Sequence, residues 1–321
     1  WLSSPFTVRP GATSWDEKGP ERMNPLLLEK LRLKRNMDVM AEMAQALGRD
    51  EDHRRFQKEA QALLEDPELC AIGTTPDLPG AQSACAFALD YDAVRPEDRA
   101  QVEQRMLEAI EDYGHNLSTG TPATPALLNV LMEGGQHELA WDLAMHPEYP
   151  SFGYMVDQRT GGIWERLDAL HPTLGFNPEP MSGFIHVGFC PIAEWILRLA
   201  GGFVVPARGS GLERIRIAPV FPDYLQHSSA SVQTVYGLAQ VTWRRERHGI
   251  LLDLTVPPGA TVDLILPLEE TGQLTESGQP LQNSPGLRLG QPPDGHTELQ
   301  VEAGRYSFVF SDTLLRENSA G

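Results

Sequence analysis

The apolar residues of this chain change their spacing near Gly209, and that change constrains the fold more than any other feature of the sequence. Up to about residue 200 they recur every three or four positions, as on one face of an α-helix. After Gly209 they alternate with polar residues, as in a strand with one buried face. The sequence therefore predicts a helical region followed by a region of β-structure.

The helical region consists of paired helices joined by short loops. Its clearest run stops at Gly48 and consists of Leu33, Met37, Met40, Ala44 and Leu47. Thr124 is a predicted N-cap with Pro125 at the first helical position. Further runs predict helices near residues 56–64, 82–91, 102–113, 139–144 and 192–199.

Two architectures fit such helix pairs. An α-solenoid would require a repeat of fixed length with a consensus, and the sequence has neither. An α/α toroid, in which the pairs close on themselves, needs no such repeat, and its site lies in loops at one end. The long irregular stretch from Pro147 to Gly183 fits a loop of that kind, because loops of this length in compact domains are usually functional. The toroid is therefore the preferred interpretation.

The second region predicts a small antiparallel β-sandwich. Alternating segments are separated by turn sequences such as Pro257-Pro258-Gly259, while residues 274–290 carry no clear pattern. The predicted strands lie at 214–217, 232–236, 239–243, 250–256, 261–266, 298–301 and 306–310. We accordingly expect an α+β chain with a helical domain over residues 1–205 and a β-sandwich over residues 206–321.

Charge and composition limit the classes of molecule that this chain is expected to bind. The chain carries 44 acidic and 26 basic residues, a net charge of −18, which argues against nucleic acid or an anionic membrane as a partner. No apolar run approaches the length of a transmembrane helix and no signal peptide is recognised, so a cytoplasmic location is expected. Three cysteines without metal-ligand spacing predict free thiols, and no cofactor or metal is expected. The start at Trp1, without Met, predicts a processed product or a fragment of a longer chain.

The triplet Trp164-Glu165-Arg166 follows the pair Gly161-Gly162 and is the main candidate for chemistry. An indole offers a flat apolar face for a sugar ring, and a guanidinium can hold a carboxylate. The glycine pair permits positive φ and close approach of a ligand. The functional interpretation is a carboxylate in a sugar-binding cleft. The alternative is a surface Glu–Arg pair beside a core tryptophan.

Five stretches, in order, resemble the bacterial α-L-rhamnosidases of glycoside hydrolase family 78. Residues 149–156 resemble the family's Tyr-Pro-Ser-Trp-Gly-Tyr-Met, and residues 163–168 resemble its Ile-Trp-Glu-Arg-Trp-Asp. Residues 184–189, followed by Glu194-Trp195, resemble its Phe-Asn-His-Tyr-Ala-Phe with Glu-Trp. The other two are His115–Gly120 with Thr124-Pro125, and the sandwich opening at Ser229–Ser231 and Tyr236–Trp243. The resemblance runs from about residue 24 to about residue 310.

The resemblance implies an inverting glycosidase with an (α/α)6 barrel that removes terminal α-L-rhamnose from glycosides. Glu165 matches the family's general base, and Arg166 would support its ionised form if its guanidinium points at it. His186 matches a histidine that lines the rhamnose pocket, where it can donate to a sugar hydroxyl. A structural histidine on a helix approach is the alternative. Trp164, Arg166 and Trp1 are the other predicted substrate-binding residues.

The chain also departs from the family pattern. Leu167 replaces a second Trp, Ile185 replaces an Asn and Phe152 replaces a Trp. No stretch matches the family's upstream Asp…Arg-x-Glu-Arg segment that holds the general acid. Trp1-Leu2 resembles the end of a later Gly-Asp-Trp-Leu segment, and only about seven helices are predicted before the sandwich. We therefore expect an incomplete barrel, completed by an upstream segment or by a second chain.

Two other functions remain open on these residues. One is a non-catalytic carbohydrate-binding remnant that keeps the aromatic residues and His186 but lacks the acid. The other is a different inverting α/α-barrel glycosidase, or a lyase acting on rhamnose-containing polymers, which the changes at Leu167 and Ile185 leave open.

Overall fold

The computed structural model describes residues 11–15, 23–178, 182–204, 212–247, 249–268, 274–290 and 296–311. The chain divides into two compact units, Trp1–Ile192 and Ala193–Gly321. The boundary predicted between residues 205 and 206 lies outside the described residues, as does Trp1. Among the described residues, no helix combines the length and the apolar character needed to cross a membrane.

The helical prediction is confirmed. The described residues form nine α-helices, which are fewer than six hairpins require, and so no closed barrel is present in them. The helices are α1 (Pro25–Ala46), α2 (Asp50–Leu63), α3 (Pro67–Cys70), α4 (Ala81–Asp90), α5 (Arg99–Asp112), α6 (Ala123–Glu133), α7 (His137–Met145), α8 (Phe152–Asp157) and α9 (Pro191–Gly201).

α4 lies at the centre of the helical unit. Its side chains are buried along almost the whole helix, including Phe87, and it packs against α5 and α6. A helix that is apolar on all sides is stable only in such a position. Gln82 and Ser83 are its buried polar residues. The Gln82 Oε1 accepts from the Ser118 N–H at 2.9 Å, and its Nε2 donates to Asn116 O at 3.0 Å. This amide therefore holds the loop between α5 and α6 against the core.

The prediction that Thr124 is the N-cap of its helix is wrong, because the helix begins before it. α6 begins at Ala123, one residue earlier, so Thr124 lies inside the first turn. Its hydroxyl instead bonds back to Gly120 O at 3.0 Å and contacts the Thr119 hydroxyl at 2.7 Å. Threonine can satisfy a carbonyl four residues earlier in this way, which competes with capping.

The second unit is the predicted β-sandwich. The first two strands, β1 (Leu170–His171) and β2 (Gly175–Phe176), form a short antiparallel hairpin in the helical unit. The strands of the second unit are β3 (Phe203–Val204), β4 (Arg214–Ile217), β5 (His227–Thr234), β6 (Gly237–Glu246), β7 (Gly249–Val256), β8 (Thr261–Leu266), β9 (Thr275–Glu276), β10 (Gln279–Pro280), β11 (Leu287–Leu289), β12 (Thr297–Val301) and β13 (Gly304–Phe310). One sheet has the order β10-β9-β13-β7-β6-β5 and the other β11-β12-β8-β4-β3. The patternless residues 274–290 thus contain β9, β10 and β11.

All but one of the strand pairs in these sheets are antiparallel; β4 and β8 run parallel. The chain between β4 and β8 forms β5, β6 and β7 of the other sheet. The two parallel strands are therefore joined by a long connection, whereas an antiparallel pair can be joined by a short hairpin turn. Alternating side chains of both sheets meet in one core that includes Trp243, Leu252, Val262 and Phe308. The Trp243 indole donates to Ala200 O at 3.1 Å, which satisfies its buried N–H.

Candidate active site

Two distant segments of the helical unit pair beside the triplet. The Glu165 N–H donates to Gly183 O at 2.8 Å, and the His186 N–H donates to Ile163 O at 2.8 Å. A Cβ added at Gly162 would lie 2.6 Å from Phe184 O, so only glycine lets the segments approach this closely. The pairing brings Glu165 and His186 together although a long stretch of chain separates them.

The Glu165 carboxylate is anchored at one oxygen. Its Oε2 accepts from the Gly183 N–H at 3.2 Å, whereas Oε1 lies 3.9 Å from His186 Nε2, beyond hydrogen-bonding distance. The side chain keeps 12% of its surface exposed. Oε1 can therefore accept a hydrogen bond from a water molecule or a sugar hydroxyl, as a general base must.

The orientation of His186 is fixed by its own turn. Its Nδ1 accepts from the Gly188 N–H at 2.9 Å, which in the neutral ring assigns the proton to Nε2, the nitrogen nearer to Glu165. A Cβ at Gly188 would lie 2.8 Å from that Nδ1 and 2.7 Å from the Thr121 methyl, so this position also needs glycine. His186 thus presents a donor on the same side as the acceptor of Glu165.

The predicted stacking role of Trp164 is wrong. The side chain has no exposed surface, and its Nε1 donates to the Thr160 hydroxyl at 2.6 Å. Its ring meets those of Tyr154 and Phe184 edge to face, with centroids 6.1 and 5.2 Å apart. An indole enclosed on this scale has no face to offer a sugar; Trp164 instead anchors the backbone next to Glu165.

The predicted substrate-binding role of Arg166 is also wrong. Its Nε and Nη2 donate to the two oxygens of Asp168 at 2.8 and 2.7 Å, a bidentate pair in which both side chains are buried. Asn177 Nδ2 adds a donor to the same carboxylate at 3.0 Å. Sequence reasoning missed Asp168 and Asn177; the signal for Asp168 was its position two residues after an arginine.

Aromatic and imidazole rings pack next to the Arg166–Asp168 ion pair. Tyr149 meets Tyr154 and His171 edge to face, and Trp15 also meets His171 edge to face. Burial raises the pKa of Tyr149 and lowers the pKa of His171, so both groups stay neutral. His171 Nδ1 accepts from the Thr173 and Leu174 N–H groups at 3.2 Å, which suits the neutral ring.

The stability of the helical unit is expected to fall as the pH drops below about 6.5. The folded-state pKa of His171 lies below the ordinary value for histidine, so the unfolded chain binds the proton first. The contribution of neutral His171 to the free energy of unfolding is present above the unfolded-state pKa and is lost as the pH falls. Burial also lowers the pKa of His137 and of His146, so they add to the same pH dependence. Urea unfolding followed by helical circular dichroism, repeated across this range, measures it. Replacing His171 with Gln should flatten the profile, and an unchanged profile would contradict the assignment.

Across the described ranges, no group of three or more His, Cys, Asp or Glu side chains is arranged to hold a metal ion. The described residues thus form an α-helical unit that carries the Glu165–His186 pair, followed by a β-sandwich. The bacterial α-L-rhamnosidase six-hairpin glycosidase domain matches residues 12–199, and the C-terminal domain of the same enzymes matches residues 205–280. The chain belongs to the bacterial α-L-rhamnosidase family.

Relatives and solved structures agree with this assignment. The chain is 27% identical to an α-L-rhamnosidase of Formosa agariphila over 84% of its length and 27% identical to one of Streptomyces avermitilis over 85%. It spans only 29% and 25% of those two proteins. The fold matches the Streptomyces avermitilis enzyme solved with L-rhamnose, with a TM-score of 0.79 at 24% identity, covering 90% of this chain and 27% of that one. An α-L-rhamnosidase from Aspergillus terreus gives 0.76 at 22% identity, covering 96% of this chain and 33% of that one.

Proposed function

We propose that this chain carries the general-base side of the active site of an inverting α-L-rhamnosidase. The observation that supports it is the geometry of Glu165. One carboxylate oxygen is held by the Gly183 N–H, and the other stands 3.9 Å from the Nε2 of His186. In this role Glu165 removes a proton from the attacking water, and His186 donates to a hydroxyl of the rhamnose ring.

The reaction needs a second carboxyl group. An inverting enzyme places a general acid roughly 6.5–9.5 Å from the base, on the opposite side of the scissile bond, to protonate the departing oxygen. We assign that acid to a polypeptide that also supplies the remaining hairpins, either an upstream segment or a second chain. The substrate class, glycosides with terminal α-L-rhamnose, is proposed from the names of the relatives.

A non-catalytic rhamnose-binding protein is the second candidate. The observation that admits it is the Glu165–His186 pair itself, whose acceptor and donor can hold sugar hydroxyls with or without turnover. Such a protein would keep the pocket of Glu165 and His186 but would lack the acid. It would bind rhamnose without turning over any glycoside.

The test uses aryl glycosides, because a nitrophenol leaving group needs little protonation and reports on the base even where the acid is missing. A panel of nitrophenyl glycosides is expected to give turnover with the α-L-rhamnoside, and proton NMR should detect β-L-rhamnose as the first product. First release of the α anomer, or preference for another sugar, would overturn the proposal. Binding of rhamnose without turnover would favour the non-catalytic alternative.

A further inference from the structure

A cleft between α1 and α2 collects polar side chains that the proposed reaction does not use. Its volume is about 470 Å³, which lies within the roughly 300–1,000 Å³ of pockets that bind small molecules. The two helices pack directly against each other, so both walls belong to one helix pair. The polar lining of this site, here called the α1–α2 cleft, consists of Lys34, Asp38, Arg54, Gln57, Lys58 and Gln61.

The charges of the α1–α2 cleft do not balance. Lys34 is buried, and its Nζ donates to the Asp38 carboxylate at 2.7 Å, so these two charges neutralise each other. Among the described residues, no ion pair or side-chain hydrogen bond involves Arg54 or Lys58. Three cations against one carboxylate leave the cleft with a net of two positive charges.

This surplus is local and unusual for the chain. The neighbouring Arg49 and Arg55 both pair with the Asp52 carboxylate, at 2.6 and 3.3 Å. The whole chain carries 44 acidic residues and a net charge of −18. Arg54 and Lys58 are spaced by four on one helix, where like charges destabilise the helix. An anion bound between them would remove that repulsion.

The side chains of the α1–α2 cleft define the class of ligand. A guanidinium and an ammonium bind oxyanions such as phosphate and carboxylate. Gln57 and Gln61 lie one turn apart on α2, and their amides can donate to and accept from hydroxyl groups. Ala60 and Leu64 supply the apolar part of the lining, against which the carbon atoms of a ring can lie. These three kinds of group together suit a sugar-sized molecule that carries an acidic group.

We propose that the α1–α2 cleft binds a small polyhydroxylated anion, a sugar-sized molecule with a phosphate or carboxylate group. The anionic group lies between Arg54 and Lys58, and the hydroxyl groups contact the two glutamines. The inference is independent of the proposed function, because the cleft shares no residue with the Glu165–His186 pair.

Isothermal titration calorimetry of the full chain tests the site with four probes: glucose 6-phosphate, glucuronate, inorganic phosphate and glucose. One of the two anionic sugars is expected to bind more tightly than inorganic phosphate and glucose, and the tighter one identifies the acidic group. The double variant Arg54→Gln/Lys58→Gln should weaken this binding by roughly tenfold or more, because both unpaired cations are lost. Inorganic phosphate or glucose binding as tightly as the anionic sugars would overturn the proposal.

The matched control is Arg49→Gln/Arg55→Gln, which removes two positive charges outside the cleft lining and should leave the affinity unchanged. Circular dichroism of each variant checks the helical fold. Gln57→Glu places a carboxylate in the cleft and is a second variant expected to weaken binding. No binding of either anionic sugar, equal weakening by both double variants, or full affinity in Gln57→Glu would overturn the proposal. Loss of binding in Glu165→Gln would also overturn it, since the anion would then occupy the candidate active site.

Discussion

Replacing Glu165 with Gln is expected to lower the turnover of nitrophenyl α-L-rhamnoside by about 10²–10⁴-fold, the usual contribution of a positioned general base. Glutamine keeps the shape and can still accept from the Gly183 N–H, but it cannot take a proton from water. Binding of L-rhamnose should change little, because the loss falls on the transition state. Steady-state kinetics, with calorimetric titration of rhamnose, separate the two effects.

Two controls sharpen this result. Glu111→Gln removes an exposed carboxylate of α5 and should leave the turnover unchanged. Azide attacks without needing a base, so it is expected to restore turnover to Glu165→Gln and to give a rhamnosyl azide of inverted configuration. Unchanged turnover in Glu165→Gln would remove Glu165 from the role of base, and an azide product of retained configuration would exclude inversion.

The sequence predicts the helices and strands well because their apolar periodicity is a local property. Each of the longer helices from α1 to α7 has a run of apolar residues within it. The short α3 and α8 have four and six residues, which is too little chain to show a helical repeat, and the sequence does not predict them. The parallel pairing of β4 with β8 joins strands that are far apart in the chain, which periodicity alone does not specify.

Site geometry was harder to predict, for a physical reason. The family resemblance identifies Glu165 and His186 one at a time, but their approach depends on the backbone hydrogen bonds from Glu165 to Gly183 and from His186 to Ile163. A tryptophan next to a glutamate gives the same sequence pattern whether the indole ring stacks on a sugar or packs in the core. For Trp164 the hydroxyl of Thr160 and the ring of Phe184 decide in favour of the core.

Loss of the Asp168 carboxylate is expected to destabilise the helical unit by about 3–5 kcal/mol, because Asp168→Asn leaves the Arg166 guanidinium buried without a counter-charge. The same carboxylate also accepts a hydrogen bond from Asn177 Nδ2. One substitution therefore disturbs both the segment that holds Asp168 and the segment that holds Asn177. Urea unfolding followed by circular dichroism measures the change in the free energy of unfolding. Activity should fall as well, since Glu165 lies three residues before Asp168.

An exposed ion pair gives the matched comparison for Asp168. Glu103→Gln breaks the pair with Arg99 on α5, where both side chains are more than 40% exposed, and should cost less than about 1 kcal/mol. Adding Arg166→Gln to Asp168→Asn removes the stranded charge and should recover part of the loss, which a double-mutant cycle quantifies. If Asp168→Asn costs no more than Glu103→Gln, the buried pair does not hold the loop, and the position of Glu165 must depend on the Gly183 contacts alone.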